Sequence, residues 1–205
     1  MPISFDLEEF RKKHNIVNYF ETGLYDVRFD VSCKKALNCG FKKLYSIELR
    51  EDFVEIARLF LNSEISNGRL TLIRDDSSFL EKYTVNNPDF KEKTLFFLDA
   101  HVDNNVIKNY VTPCPVLREL EAISKLERKD HVICIDDVRI LETLTPWGET
   151  LGSQMTPVLQ GNEVGFRNYQ NHITHIMRRI LTINKDYKFT FLEGQVEHDV
   201  LCAFV

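Results

Sequence analysis

Thr94-Leu-Phe-Phe-Leu-Asp-Ala-His101 is the stretch on which the reading of this chain turns. Its first five residues are apolar or β-branched and do not alternate with polar ones. That pattern predicts a strand covered on both faces, as in a parallel sheet. The run then ends in Asp99 and His101. A charge left unpaired inside a sheet is very costly, so both residues belong at the wet, carboxyl end of the strand. In open α/β sheets that end faces the crevice where ligands bind. A plainer role for Asp99, capping the next turn, fits the same segment.

Working outward, His131-Val-Ile-Cys-Ile-Asp-Asp137 repeats the pattern: an apolar run that ends in the carboxylates Asp136 and Asp137. Between the two runs lies a loop, residues 102–114, holding Asn104 and Asn105. Pro115 then stands where a helix favours its first residue. Leu117, Leu120, Ile123 and Leu126 give that helix an apolar face. Upstream, residues 15–23 read as a first strand ending in Glu21, Thr22 and Gly23, with glycine allowing a sharp turn or a close backbone approach. A helix over 32–38 follows, then a second strand over 42–49 with Glu48 at its carboxyl end. One acidic residue there suits two ribose hydroxyls, because a carboxylate accepts from both. The periodicity of Phe53, Ile56, Ala57, Phe60 and Leu61 predicts one helix over 50–67, stopped by Gly68. A third strand, 69–74, leads into Asp75-Asp-Ser-Ser78. Its serines can cap a helix through Tyr83, and Asp76 suits either a helix cap or a ligand contact.

The flanks are simpler. Asp6 and Glu9 form a capping-box pattern for a short helix over 5–13, with Phe5 and Phe10 placed as a hydrophobic staple. Residues 141–165 are rich in Gly and Pro and hold the single tryptophan, Trp147. A connection this long points to a lid or binding loop on the acceptor side. The last helix spans 166–183. Two final strands, 187–192 and 200–205, are separated by too few residues for a parallel crossover and should pair antiparallel.

The chain has 205 residues, 43% hydrophobic and 28% charged, which suits one domain over 1–205 with a full core. A net charge of −5 does not favour a nucleic-acid surface. No apolar run is long enough for a membrane span, and the first residues do not form a secretory signal. Five scattered cysteines make no metal or disulfide framework and suit a reducing compartment, the cytoplasm.

Five β-then-α units followed by an antiparallel pair predict a doubly wound, Rossmann-like α/β sheet of seven strands, mostly parallel with an antiparallel last strand. At this point the chain resembles the class I S-adenosylmethionine-dependent methyltransferases, best from Tyr19 to Asp137. The resemblance implies that Glu21-Thr22-Gly23 approaches the methionine part of the cofactor. It implies that Glu48 holds the ribose, and that Asp76 and Ser77 lie beside the adenine. Asp99 matches the acid that ends strand four. Asp99, Asp136 and Asp137 together are similar to the magnesium site of catechol-type and macrolide-sugar O-methyltransferases. Phe-Leu-Asp-Ala-His with Ile-Asp-Asp also resembles methyltransferase-like proteins associated with glycan genes, which implies a sugar or nucleotide-linked sugar as acceptor. One departure stands out: the usual first motif is glycine-rich, whereas here only Gly23 precedes the bulky Leu24-Tyr-Asp-Val-Arg-Phe-Asp30. A pyrophosphate needs successive glycines for close approach, so this departure weighs against NAD.

Three activities fit these residues. In the first, magnesium orients a hydroxyl acceptor and lowers its pKa, with Asp99, Asp136 and Asp137 as ligands. In the second no metal takes part and His101 is the general base. In the third the chain binds cofactor or a partner without catalysis.

Overall fold

The computed structural model describes residues 3–29, 31–100, 114–141 and 173–205. They build a seven-stranded sheet: β1 (Asn18–Thr22), β2 (Leu44–Glu48), β3 (Leu70–Arg74), β4 (Thr94–Leu98), β5 (Val132–Ile135), β6 (Lys188–Leu192) and β7 (Val200–Phe204). The strand order is β3-β2-β1-β4-β5-β7-β6. The first five strands are parallel, and β7 runs antiparallel to both of its neighbours. This is the doubly wound α/β architecture that the sequence predicts.

Every residue of β1, β2, β4 and β5 is buried, which explains their unalternating sequences. Phe20, Phe96, Ile133 and Leu201 line one face of the sheet. Helices α6 (Val116–Lys125) and α8 (Ile173–Ile183) contribute Leu120, Ile123, Ile176 and Ile180 to the same cluster. Tyr19, Leu95, Phe97 and Cys134 line the other face, with α1 (Leu7–Lys13) and α2 (Ser32–Leu37). The N-terminal helix forms as expected: Asp6 accepts the Glu9 N–H at 2.8 Å, and the Phe5 and Phe10 rings lie 5.3 Å apart.

Two local expectations are corrected. The predicted helix over 50–67 is two helices, α3 (Glu51–Phe60) and α4 (Asn62–Ser66). Leu61 breaks it by leaving helical geometry, φ −112°, while its side chain packs into the core. After β3, Asp76 rather than a serine caps the 3-10 turn Ser77–Phe79, accepting the Ser78 N–H at 2.8 Å; α5 (Glu81–Thr84) follows. A short α7 (Val138–Leu141) leaves the tip of β5. His101, Asn104, Asn105, Trp147 and nearly all of the 141–165 loop lie outside the described residues. Among the described residues no helix is long and apolar enough to cross a membrane.

Candidate functional site

The chain reverses direction across the sheet between β1 and β4: β2 and β3 are laid down on one side of β1, and β4 and β5 on the other. A crevice at the carboxyl ends of the strands is expected at that switch point. The junction is tight. Asp99 N–H donates to the Thr22 carbonyl at 3.1 Å, and Gly23 N–H donates to the Ile47 carbonyl at 2.9 Å. Gly23 has φ +81°, and a Cβ there would stand 2.4 Å from the Asp99 carbonyl oxygen. Only glycine fits, for conformation and for space alike.

Beneath this turn Glu21 is fully buried. Its Oε2 accepts from the Tyr19 and Ser32 hydroxyls at 3.0 and 2.8 Å, and its Oε1 from Ser46 at 2.7 Å. Burial raises its pKa, and the three hydroxyls act against that rise. Glu48, at the tip of β2, accepts the Arg50 N–H on Oε1 at 2.8 Å and the Tyr25 N–H on Oε2 at 2.9 Å. These bonds fix the carboxylate and leave each oxygen further lone-pair capacity.

The bulky insertion after Gly23 is well anchored. Leu24 and Val27 are fully buried, while Tyr25 adopts φ +61° and exposes about half its surface. Its ring meets Phe53 edge-on at 5.0 Å. Asp26 pairs with Arg28 at 2.5 Å.

On the other side of the turn acidic groups crowd. Asp99 is buried, and its carboxyl is pushed up to about 7, foremost by burial, with the Asp137 and Glu21 charges adding to the rise. Glu119, from the first turn of α6, is 1% exposed and pushed up to about 8. Burial is the main cause, the Asp76 and Asp99 charges add to it, and hydrogen bonding with Ser77 and Thr22 opposes it. Its Oε1 is buried with no hydrogen-bond partner among the described residues. Sequence reading missed Glu119. The signal was available: it shares the buried stripe of α6 with Val116, Leu120 and Ile123, where a carboxylate is out of place.

Beyond β5, Asp136 Oδ1 accepts the Asp137 N–H at 2.9 Å, and Asp137 itself sits at φ +62°. Arg139 pairs with Asp137 at 2.6 Å and also pairs with Asp199, a buried acid just before β7. Asp136, Asp137 and Asp199 each offer an oxygen within 4.8 Å of the others. The acids that converge among the described residues therefore include Asp199, and Asp99 is not part of that triplet. An all-carboxylate set is the donor chemistry that a magnesium ion takes. Arg139 already brings a cation to two of the three, so an ion would have to share them with it or displace it.

No protein-family model and no curated protein matches this sequence. Solved structures do match in fold. A protein assigned as a caffeoyl-CoA O-methyltransferase from Staphylococcus aureus superposes with TM-score 0.60 at 12% identity, over 99% of this chain and 85% of that one. An O-methyltransferase from Bacillus cereus in complex with SAH gives 0.59 at 18% identity, over 97% and 78%. The spermidine synthase of Thermotoga maritima gives 0.51 at 12% identity, over 93% of this chain and 54% of that one. The chain thus has the class I methyltransferase fold, which these transferases share.

Proposed function

We propose that the chain is an S-adenosylmethionine-dependent O-methyltransferase acting on a small hydroxylated acceptor. The observation that carries this reading is the sign of the crevice. Glu48, Asp76 and Asp99 gather around a turn that only glycine can make. A pyrophosphate would be repelled there, whereas a ligand with a sulfonium and an ammonium group would be attracted. The neighbouring structures of matching fold include methyltransferases, the Bacillus cereus one among those bound to SAH.

When bound, S-adenosylmethionine supplies an electrophilic methyl group. The chain's part is to position it and to ready the acceptor. Thr22 and Gly23 border the methionine portion, with Glu21 holding that turn from below through its three hydroxyl partners. Glu48 accepts the ribose hydroxyls on its remaining lone pairs. Asp76 and Ser77 flank the adenine. Asp99, between the glycine turn and the acidic triplet, faces the reacting end.

For the acceptor we favour a sugar or nucleotide-linked sugar, oriented by magnesium at Asp99, Asp136 and Asp137. Bound there, magnesium would orient acceptor hydroxyls and lower their pKa. A metal-free form is a second reading, favoured by Arg139, whose guanidinium already neutralises Asp137 and Asp199. In that form His101 serves as general base. Five free cysteines accord with work in a reducing, cytoplasmic setting.

The test has two stages. Calorimetry with S-adenosylhomocysteine should give saturable binding, and its absence ends the reading. Transfer from methyl-labelled donor to a panel of sugars, nucleotide sugars and phenols, with and without chelator, then assigns the acceptor. Label on phenols alone excludes the sugar, and full activity in chelator excludes the metal.

A further inference from the structure

We propose that Glu119 reads the amino-bearing edge of the donor's adenine through the carboxyl oxygen that no group among the described residues partners. The inference rests on the crevice being an S-adenosylmethionine site and adds a recognition residue to it.

Position comes first. Helix α6 packs against the 3-10 turn Ser77–Phe79 after β3, and Glu119, in its first turn, lies near Ser77, near Thr22 at the end of β1, and near the charges of Asp76 and Asp99. All four neighbours stand at the carboxyl ends of their strands, so Glu119 lies at the crevice end of α6 and not in the mid-core. A donor whose ribose is held at Glu48 on β2 has its base directed toward the β3 turn. Ser77, the partner of Glu119, is in that turn.

The chemistry comes second. A buried carboxyl oxygen without a donor is an expensive arrangement unless a ligand completes it. Ser77 and Thr22 already interact with the group, while Oε1 is left over. An exocyclic N–H of adenine supplies the missing donor in either protonation state of the glutamate. In the protonated form that burial favours, Glu119 is a donor as well. It then offers an O–H beside the C=O, matching a ring nitrogen beside an amino group.

The experiment compares adenosine with purine riboside, which differs only in lacking the amino group. Wild-type protein should bind adenosine about tenfold more tightly, the value of one well-made buried hydrogen bond. Glu119→Ala should lose that preference and bind S-adenosylhomocysteine about tenfold more weakly. Glu119→Gln, which can still donate and accept, should keep both. A merely structural role would weaken the two nucleosides equally. No preference in the wild-type protein overturns the inference without reference to any variant, as does a preference that survives Glu119→Ala. Wild type that binds S-adenosylhomocysteine unaffected by Glu119→Ala sinks this inference alone. Wild type that binds none sinks the site itself, and the inference with it.

Discussion

The two banks of the crevice treat their carboxylates in opposite ways. On the β1–β2 bank the acids are supplied with donors: Glu21 has three hydroxyls and Glu48 two backbone N–H groups. On the β4–β5 bank the acids face one another. Asp99 and Glu119 are raised foremost by burial, with Asp137 adding to the first and Asp76 and Asp99 to the second, and Asp137 and Asp199 share one arginine. A buried carboxylate with its full set of donors is framework. A buried carboxyl crowded by others of its kind stores an unfavourable energy that a ligand, a proton or a cation can relieve. The comparison separates the bank that shapes the crevice from the bank that answers to what enters it.

Four measurements would break or sharpen that division. The largest effect is expected at the seam between the banks. Gly23→Ala forces a Cβ against the Asp99 backbone in a left-handed conformation. The cost should be about 3 kcal/mol or more, seen as a melting temperature lower by roughly 10 °C, with binding of S-adenosylhomocysteine lost. An unchanged melt would mean that the two banks move independently. Next comes Arg139→Gln, which takes the guanidinium away from the buried Asp137 and Asp199. A loss of about 2–3 kcal/mol at pH 7.5 is expected. Millimolar magnesium should restore more stability to this variant than it adds to wild type. If magnesium does nothing for either protein, the acidic bank is not a metal site.

The third measurement is a pH profile of stability. Asp99 is raised from 3.8 to about 7 in the fold. Between those values the folded chain holds a proton that the unfolded chain has released, so folding takes up a proton and stability falls as pH rises. Glu119, raised from 4.5 to about 8, extends the window in the same direction. Wild type should therefore melt a few degrees lower at pH 8 than at pH 5.5, a change on the order of 2 kcal/mol. Asp99→Asn should flatten the slope, and a slope of opposite sign would contradict the crowding. The smallest effect belongs to Glu21→Gln. About 1 kcal/mol should be lost as the hydroxyl cluster weakens, with affinity for S-adenosylhomocysteine nearly unchanged. A tenfold loss of affinity would move Glu21 from framework to direct contact.

The sheet was legible because its central strands are buried on both faces and their sequences carry no polar alternation to confuse with a helix. Glu48 and Asp99 were legible because an acid ending an apolar run marks a strand tip. Other features depend on tertiary contact. Leu61 has a helical position in the periodicity of α3, yet the core draws it out of helical geometry. Asp199 precedes β7 and reaches Asp136 and Asp137 only because β7 pairs with β5. Arg139 was passed over for a similar reason: nothing local announces that a cation two residues past Asp137 will also meet an acid sixty positions downstream. Sequence periodicity reports which face of an element is buried, but not which distant charge arrives there.

The strand with the highest residue numbers does not sit at the sheet's rim. β7 lies between β5 and β6, with four of its five residues buried. During synthesis β6 therefore emerges before the neighbour that will receive it, and β5 waits with one backbone edge open. The sheet can close only when Val200–Phe204 has left the ribosome. A nascent chain stalled short of that point would expose a hydrogen-bonding edge on β5, a ready template for a second chain. Deleting Val200–Phe204 should thus give aggregates instead of a folded protein.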